Sequence, residues 1–298
     1  MDDRLAAHLE LAGLSDAEFV DRAFRLLLRR APDEEALGRA VASLRGRSLS
    51  RAALLADLAS SDEFRRLRAL DDSVARAFAA RAADERPHEL ESPGDFDERP
   101  VEIAWTLGRY RGERRVLDVG YAFAEPEWLV ALTHSRPREL VGVDLVERDV
   151  PGLESVVADI RKLPFSDRSF DVVFCISTLE HVGQDNTRYG LPVEDDAAGP
   201  AAALHELRRV TKRGGRILLT VPCGRRSDLD SNWFLTQTAD AWRALVREAD
   251  LYVYDEEVYV RADGRWRSGP ADADGVLCAE LHPGRLRHQL VRRLRRRQ

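Results

Sequence analysis

Lysine is nearly missing from this chain. Lys162 and Lys212 are the only two, and every other basic side chain is arginine. With alanine so abundant, this reads as a bias at the codon level, so arginine richness by itself points to no partner. Cysteine is scarce as well: Cys175, Cys223 and Cys278 lie far apart and show no metal-ligand spacing. No metal is expected, and Cys175 and Cys278 sit in apolar, strand-like runs where a buried, inert thiol is the default. No apolar run approaches the roughly 20 residues that cross a bilayer. The opening MDDRLAAHLE lacks a signal peptide's apolar region, so the expected location is cytoplasmic.

What is present suffices for a large core. The 298 residues, 44% of them apolar, fit two compact domains or one large one. The net charge of −6 hides an asymmetry, because residues 281–298 carry seven arginines and no acid, which leaves −13 on the rest. An acidic body argues against nucleic acid as a partner. In the basic tail, 285–298, Leu286, Leu290 and Leu294 recur at helical spacing among arginines, a pattern that can hold an anionic surface.

Residues 1–83 read as a helical N-terminal domain with its core at 15–67. Ser15 followed by Glu18 is a capping-box signature, and Phe19, Val20, Ala23, Phe24, Leu27 and Leu28 then recur at helical spacing. Pro32-Asp33-Glu34-Glu35 opens a second helix, Gly46 closes it, Ser50 caps a third, and Ser61 or Asp62 opens a fourth. Residues 84–100, with three prolines, read as a polar linker. From 101 to 284 a helix is followed by βα alternation, with strands expected at 115–119, 140–144, 154–158, 171–176 and 216–221. The segment YVYDEEVYVRADGRWR, with its Asp-Gly turn, and VLCAEL then predict an antiparallel close to a mostly parallel, Rossmann-like α/β sheet.

The strand ends carry the chemistry. VLDVGYAFAEPEW, VGVDL and SVVADI each finish an apolar run with a carboxylate or a small residue: Asp118 and Gly120, Asp144, and Asp159. In a parallel sheet such ends build the ligand crevice, and a carboxylate there can accept from both hydroxyls of a ribose. The order and spacing suit a nucleoside-bearing cofactor. Leu145 or Ile160 can line its adenine, although core packing explains those two equally well, and Asp144 read blandly is a solvated turn residue.

Asp118, Gly120, Ala122 and Ala124 resemble the class I methyltransferase loop Asp-x-Gly-x-Gly-x-Gly, with alanine at the second and third glycines. A β-carbon there costs roughly 1–2 kcal/mol if the backbone must be left-handed, which puts cofactor affinity in question. LPFSDRSFDVVFCISTLEHV and ELRRVTKRGGRILLTVP resemble the methyltransferase type 11 family, in the right order, and the motifs together cover residues 114–223. The resemblance implies S-adenosyl-L-methionine as cofactor, held by Asp118, Gly120, Ala122, Asp144, Leu145, Asp159, Ile160 and Ser177. In the family the counterpart of Asp159 meets the adenine amino group. His181, just after the fourth strand, is the candidate general base; its other reading is a cofactor-loop or structural residue.

Residues 183–200 form an insertion of turn-forming composition in which Gln184, Asp185, Asn186 and Tyr189 can meet a polyhydroxylated acceptor, or simply solvent. Trp105 is expected as core packing, in a helix that methyltransferases often lay over the cofactor together with Arg99. The Asn/Asp-Pro-Pro-aromatic turn of base-amino methyltransferases is replaced by Ser177-Thr178-Leu179-Glu180, and the paired-glutamate loop of protein arginine methyltransferases is missing. FVDRAFRLLLRRAPDEEALGRAVASLRGRSLSRAALLADLASSDEF resembles a helical domain related to phycobilisome linkers, a family often attached to enzymes of surface-glycan assembly. That association implies a small-molecule or sugar/surface-glycan acceptor. The competing reading is a non-catalytic, cofactor-binding scaffold with a helical adaptor.

Overall fold

The computed structural model describes residues 13–83, 85, 90, 92–93, 96–191, 195–224, 235–270 and 272–284. The chain divides into two compact units, residues 1–72 and 73–298. The basic tail read from the sequence lies outside the described residues.

In the first unit, Ser15 and Glu18 form the full capping box that starts α1 (Asp16–Leu28). Asp33 caps α2 (Glu34–Arg45) and Ser50 caps α3 (Arg51–Ser60), each side chain accepting from a first-turn amide. These bonds satisfy amides that the helix itself leaves unpaired. Phe19, Val20, Ala23 and Phe24 of α1 pack with Leu44 of α2 and Leu54 and Leu58 of α3 into one core. The long helix α4 (Asp62–Ala82) carries the chain into the second unit.

The second unit is built on a nine-stranded sheet among the described residues: β1 (Ser92–Pro93), β2 (Arg115–Val119), β3 (Glu139–Asp144), β4 (Glu154–Val157), β5 (Phe170–Ile176), β6 (Thr211–Cys223), β7 (Leu251–Ala262), β8 (Arg265–Gly269) and β9 (Gly275–Pro283). Their spatial order is β1-β8-β7-β9-β6-β5-β2-β3-β4. The pairs from β4 through β3, β2 and β5 to β6 are parallel, whereas β9 pairs antiparallel with both β6 and β7. This is the Rossmann-like α/β sheet with an antiparallel end that the sequence predicts. Asp263 and Gly264, both with positive φ, make the two-residue turn between β7 and β8.

The helices of this unit are α5 (Arg99–Arg109), α6 (Pro126–His134), α7 (Gly199–Val210) and α8 (Ala239–Glu248). Leu117, Val173, Cys175, Ile217 and Leu219 of the central strands are at most 1% exposed, and they pack with Leu204, Leu207 and Trp242 of α7 and α8. Strands covered on both faces need continuous apolar runs, which is why the βα region reads so plainly. All three cysteines are buried and free.

Two local expectations differ from the structure. Within the span read as a polar linker, Leu90 is fully buried and Ser92–Pro93 pairs with Trp266 and Arg265 at the sheet edge. The strand expected at 216–221 begins earlier, at Thr211, so that Gly214 and Gly215 lie inside β6, and its register against β5 shifts between Phe170 and Val172. Among the described residues no helix is long and apolar enough to cross a membrane, and no group of three or more His, Cys, Asp or Glu is placed to hold a metal.

Candidate active site

The parallel strands β2, β3, β4 and β5 end on one edge of the sheet, and a cleft of about 1150 Å³, counting its open mouth, lies above those ends. Asp118, Gly120, Asp144, Leu145, Asp159, Ile160, Ser177 and His181 all line it. Ala122 does not line it, but its amide donates to Asp144 Oδ2 at 3.0 Å. The structure therefore gathers the candidate residues from four strand ends around one space.

The three carboxylates differ in state. Asp118 is 2% exposed and accepts from Trp128 Nε1 at 2.8 Å. Burial pushes its pKa up to about 7, against the pull of that bond. Asp144 is also raised, by burial, although the Ala122, Leu145 and Val146 amides favour its charge; three donors on a carboxylate still leave it accepting capacity. Asp159 is held low, first by its hydrogen bonds with Arg161. In this structure the Arg161 side chain and amide take up both its oxygens.

The loop after β2 explains how alanine can stand where the family pattern has glycine. Only Gly120 is left-handed there, with φ of +82°, and a β-carbon on it would collide with the Thr178 side chain. Ala122 is not among the residues with positive φ, and Ala124 is extended at φ −67°. The expected left-handed penalty therefore does not apply to them. The loop is clamped from two sides. Tyr121 turns inward, fully buried, against Gly142, where a β-carbon would come within 2.7 Å of its ring. Arg148 Nη1 donates to the carbonyls of Ala122 and Ala124, at 3.2 and 2.8 Å.

On the β5 side, Ser177 is strained, with φ of +42°. Its amide donates to Thr220 Oγ1 at 3.0 Å, and its hydroxyl donates to Glu102 Oε1 at 2.6 Å. Glu102 is fully buried on α5 and accepts from Arg99 Nη1 at 2.9 Å. Glu180 is buried too; burial pushes its pKa up to about 8, and its Oε2 has no hydrogen-bond partner. His181 Nε2 lies 4.0 Å from Glu180 Oε1. Trp105 is buried core, with the Arg109 guanidinium stacked on its ring.

The insertion after β5 forms one wall. Tyr189 meets Phe123 of the β2 loop at 4.7 Å between ring centres and takes the His181 ring edge-on at 5.6 Å. Asn186 is 8% exposed; its Nδ2 donates to the carbonyls of His181 and Gln184, while its buried Oδ1 has no hydrogen-bond partner. Residues 183, 186, 189 and 191 line the cleft. Sequence reasoning missed Trp128, Glu102, Arg148 and Phe123 as site residues. A tryptophan ten positions past Asp118, or one arginine among dozens, carries no spacing signal.

A parallel sheet with carboxylates closing successive strands over one cleft defines a nucleoside-cofactor enzyme. The methyltransferase domain family matches residues 117–219. A demethylmenaquinone methyltransferase of Mycobacterium sp. (strain KMS) is 30% identical over 199 residues, covering 57% of this chain and 77% of that one. An uncharacterized protein of Methanocaldococcus jannaschii, MJ0638, is 31% identical over 81 residues, 27% of this chain and 29% of its own length. Among solved structures, a Burkholderia thailandensis 1,6-didemethyltoxoflavin-N1-methyltransferase with bound S-adenosylhomocysteine is similar with a TM-score of 0.44 at 16% identity, covering 62% of this chain and 77% of that one. This chain belongs to the methyltransferase family and is an S-adenosylmethionine-dependent enzyme.

The residues present suit that cofactor. Gly120 lines the cleft where Thr178 packs too close for any β-carbon, the half-buried Asp144 carboxylate is open to the cleft, and apolar Leu145 and Ile160 stand near it.

Proposed function

We propose that the chain methylates a small molecule bearing a hydroxyl or amine, with residues 101–284 carrying the chemistry and the helical domain, 1–83, outside it. One observation carries this reading: a single cleft has carboxylate-tipped strand ends at Asp144 and Asp159 and a polar-aromatic wall of His181, Asn186 and Tyr189. S-adenosylmethionine supplies an already activated methyl group, so the chain's main work is alignment, which is worth several kcal/mol of barrier.

In this proposal Asp144 holds the ribose hydroxyls and Leu145 and Ile160 flank the adenine. Asp159 reaches the adenine amino group once it gives up part of its pairing with Arg161. Gly120, Ala122 and Ser177 lay backbone along the amino-acid end, and Asp118 supports that loop from beneath through Trp128. His181 takes the proton of a hydroxyl or protonated amine acceptor. The mycobacterial relative's name is that of an enzyme with a small-molecule acceptor. A sugar or surface-glycan acceptor is favoured by one thing only, the likeness of residues 15–67 to a domain related to phycobilisome linkers. An anionic-surface role for residues 285–298 rests only on their arginines and on the spacing of Leu286, Leu290 and Leu294.

Calorimetry with S-adenosylhomocysteine, followed by transfer of labelled methyl to panels of small hydroxylated aromatics, amines and nucleotide sugars, tests the reading. Cofactor binding with label passing to one panel is expected. Label appearing only on protein or nucleic acid would overturn the small-molecule assignment.

A further inference from the structure

We propose that Arg161 is a positioning residue that links the adenine end of the cofactor site to the acceptor wall. The proposal rests on the reading of the cleft given above, with the adenine amino group on Asp159 and the insertion after β5 facing the acceptor. The Arg161 guanidinium is shared between two acids. Its Nη2 donates to Asp159 Oδ2 at 2.5 Å and its Nε to Asp159 Oδ1 at 3.0 Å, while Nη1 donates to Asp196 Oδ2 at 2.9 Å.

Asp159 lines the cleft, whereas Asp196 stands at the neck of the insertion. The Asp196 amide donates to the Gly183 carbonyl at 2.9 Å, and its Oδ1 accepts from the Ala198 amide at 3.1 Å, just ahead of α7. The crossing is tight. Gly183 has φ of +77°, and a β-carbon there would lie 2.2 Å from the Asp196 carbonyl oxygen. Between these two residues the chain returns to the cleft with Asn186, Tyr189 and Leu191. Whatever holds Asp196 therefore holds the base of that wall.

Counting acceptor sites shows how the two ends are linked. A carboxylate offers about four lone pairs. Asp159 already receives the Arg161 amide at 2.8 Å, besides a guanidinium whose Nε lies 3.0 Å from both its oxygens. An adenine amino group arriving on Asp159 must displace part of that guanidinium, and the displaced arm turns to Asp196, which it already touches. Cofactor binding thus tightens Arg161 on the neck of the wall, and by reciprocity the pull of Asp196 eases adenine binding. The fold depends little on the bridge. The three side chains are 21%, 35% and 42% exposed, and ion pairs so well wetted contribute little to stability.

Titration calorimetry with S-adenosylhomocysteine needs no acceptor and separates the variants by sign. Asp196→Asn leaves Arg161 wholly to Asp159, so affinity should fall about two- to fivefold, the weight of one such pair. Asp196→Glu keeps the charge and should recover most of that loss. Arg161→Met releases Asp159, and its affinity should match or exceed the wild type's. In hydrogen exchange, S-adenosylhomocysteine should slow the amides of Tyr189, Gly190 and Leu191, which bond within the wall. This slowing should be marked in the wild type and weak in Asp196→Asn and Arg161→Met. All variants should melt within about 4 °C of the wild type.

Wild-type affinity or wild-type protection in Asp196→Asn overturns the link. Equal weakening of binding in Arg161→Met and Asp196→Asn also overturns it, by making the bridge a structural brace. If Asp196→Asn does not fold, wild-type protection in Arg161→Met is the overturning result. A wild type that binds no S-adenosylhomocysteine, or an Asp159→Ala variant that binds it as well as the wild type, overturns the reading of the cleft instead.

Discussion

The Ser177 hydroxyl donates to Glu102 Oε1 at 2.6 Å, tying a strained residue at the end of β5 to a fully buried acid on α5, 75 positions earlier. Glu102 also holds Arg99, so removing it orphans a hydroxyl and a cation together. Glu102→Ala should destabilise the protein by about 3–5 kcal/mol, the usual cost of breaking a buried pair from one side. Glu102→Gln, which keeps an acceptor for Ser177, should cost clearly less. Urea denaturation of both variants checks the order, and equal losses would show that Ser177 does not depend on this bond.

Gly120 and Ala122 should respond unequally. Gly120→Ala places a β-carbon on the Thr178 side chain at a left-handed φ. The backbone term alone costs about 1–2 kcal/mol, and binding of S-adenosylhomocysteine should fall with it. Ala122→Gly removes no strain, because φ there is not positive. It should leave affinity within about twofold and reduce stability slightly, by up to about 1 kcal/mol. Tighter cofactor binding in Ala122→Gly would show that the loop had wanted glycine after all.

The sheet was legible because strands covered on both faces need apolar runs: Leu140–Val143 and Val172–Cys175 supply them unbroken, and Val116–Val119 is interrupted only by Asp118. The strand-end residues Asp144, Asp159 and Ser177 were legible as positions for the same reason. What held them in place was not. Trp128 on Asp118, Arg148 on the Ala122 and Ala124 carbonyls, and Glu102 on Ser177 are contacts made across elements. Nothing local in a sequence encodes such a pairing. The edge strand at Ser92–Pro93 escaped notice because a two-residue pairing has no periodicity to show.

Asp144→Ala should weaken S-adenosylhomocysteine binding by roughly 10- to 100-fold, the loss of hydrogen bonds to a charged acceptor. Because Asp144 also receives the Ala122 and Leu145 amides, Asp144→Asn is the sharper variant: its carbonyl oxygen keeps one of those bonds. Both proteins should remain folded by circular dichroism. Unchanged calorimetric affinity in both would reduce Asp144 to a turn residue.

Stability should fall as pH rises from about 5 to 8. Burial raises Glu180 to about 8 and Asp118 to about 7, from ordinary values near 4. Between those limits the native state holds protons that the unfolded chain has released, and such a difference lowers stability as pH increases. Glu280, held down to about 2 although buried, by His282 and neighbouring arginines, acts with the opposite sign but only below pH 5. Glu180→Gln should therefore flatten the fall. Relative to wild type its melting temperature should gain with pH, by about 2–4 °C for each kcal/mol. Parallel curves for the two proteins between pH 5 and 8 would mean that Glu180 is ionised in the native state.

His181 separates alignment from proton transfer. It lines the cleft beside Tyr189, with Glu180 behind it at 4.0 Å. If its ring takes a proton from the acceptor, His181→Gln should lower kcat by about 100-fold or more while S-adenosylhomocysteine affinity stays within about twofold. The rising limb of the pH–rate profile should vanish with it, since glutamine has no proton to lose in that range. A structural role predicts the reverse pattern: cofactor affinity and melting temperature drop together, and whatever rate remains keeps its pH dependence. Measuring kcat against pH in the variant, next to its affinity for S-adenosylhomocysteine, tells the two apart. Full turnover with an unaltered profile would leave methyl transfer here to positioning alone.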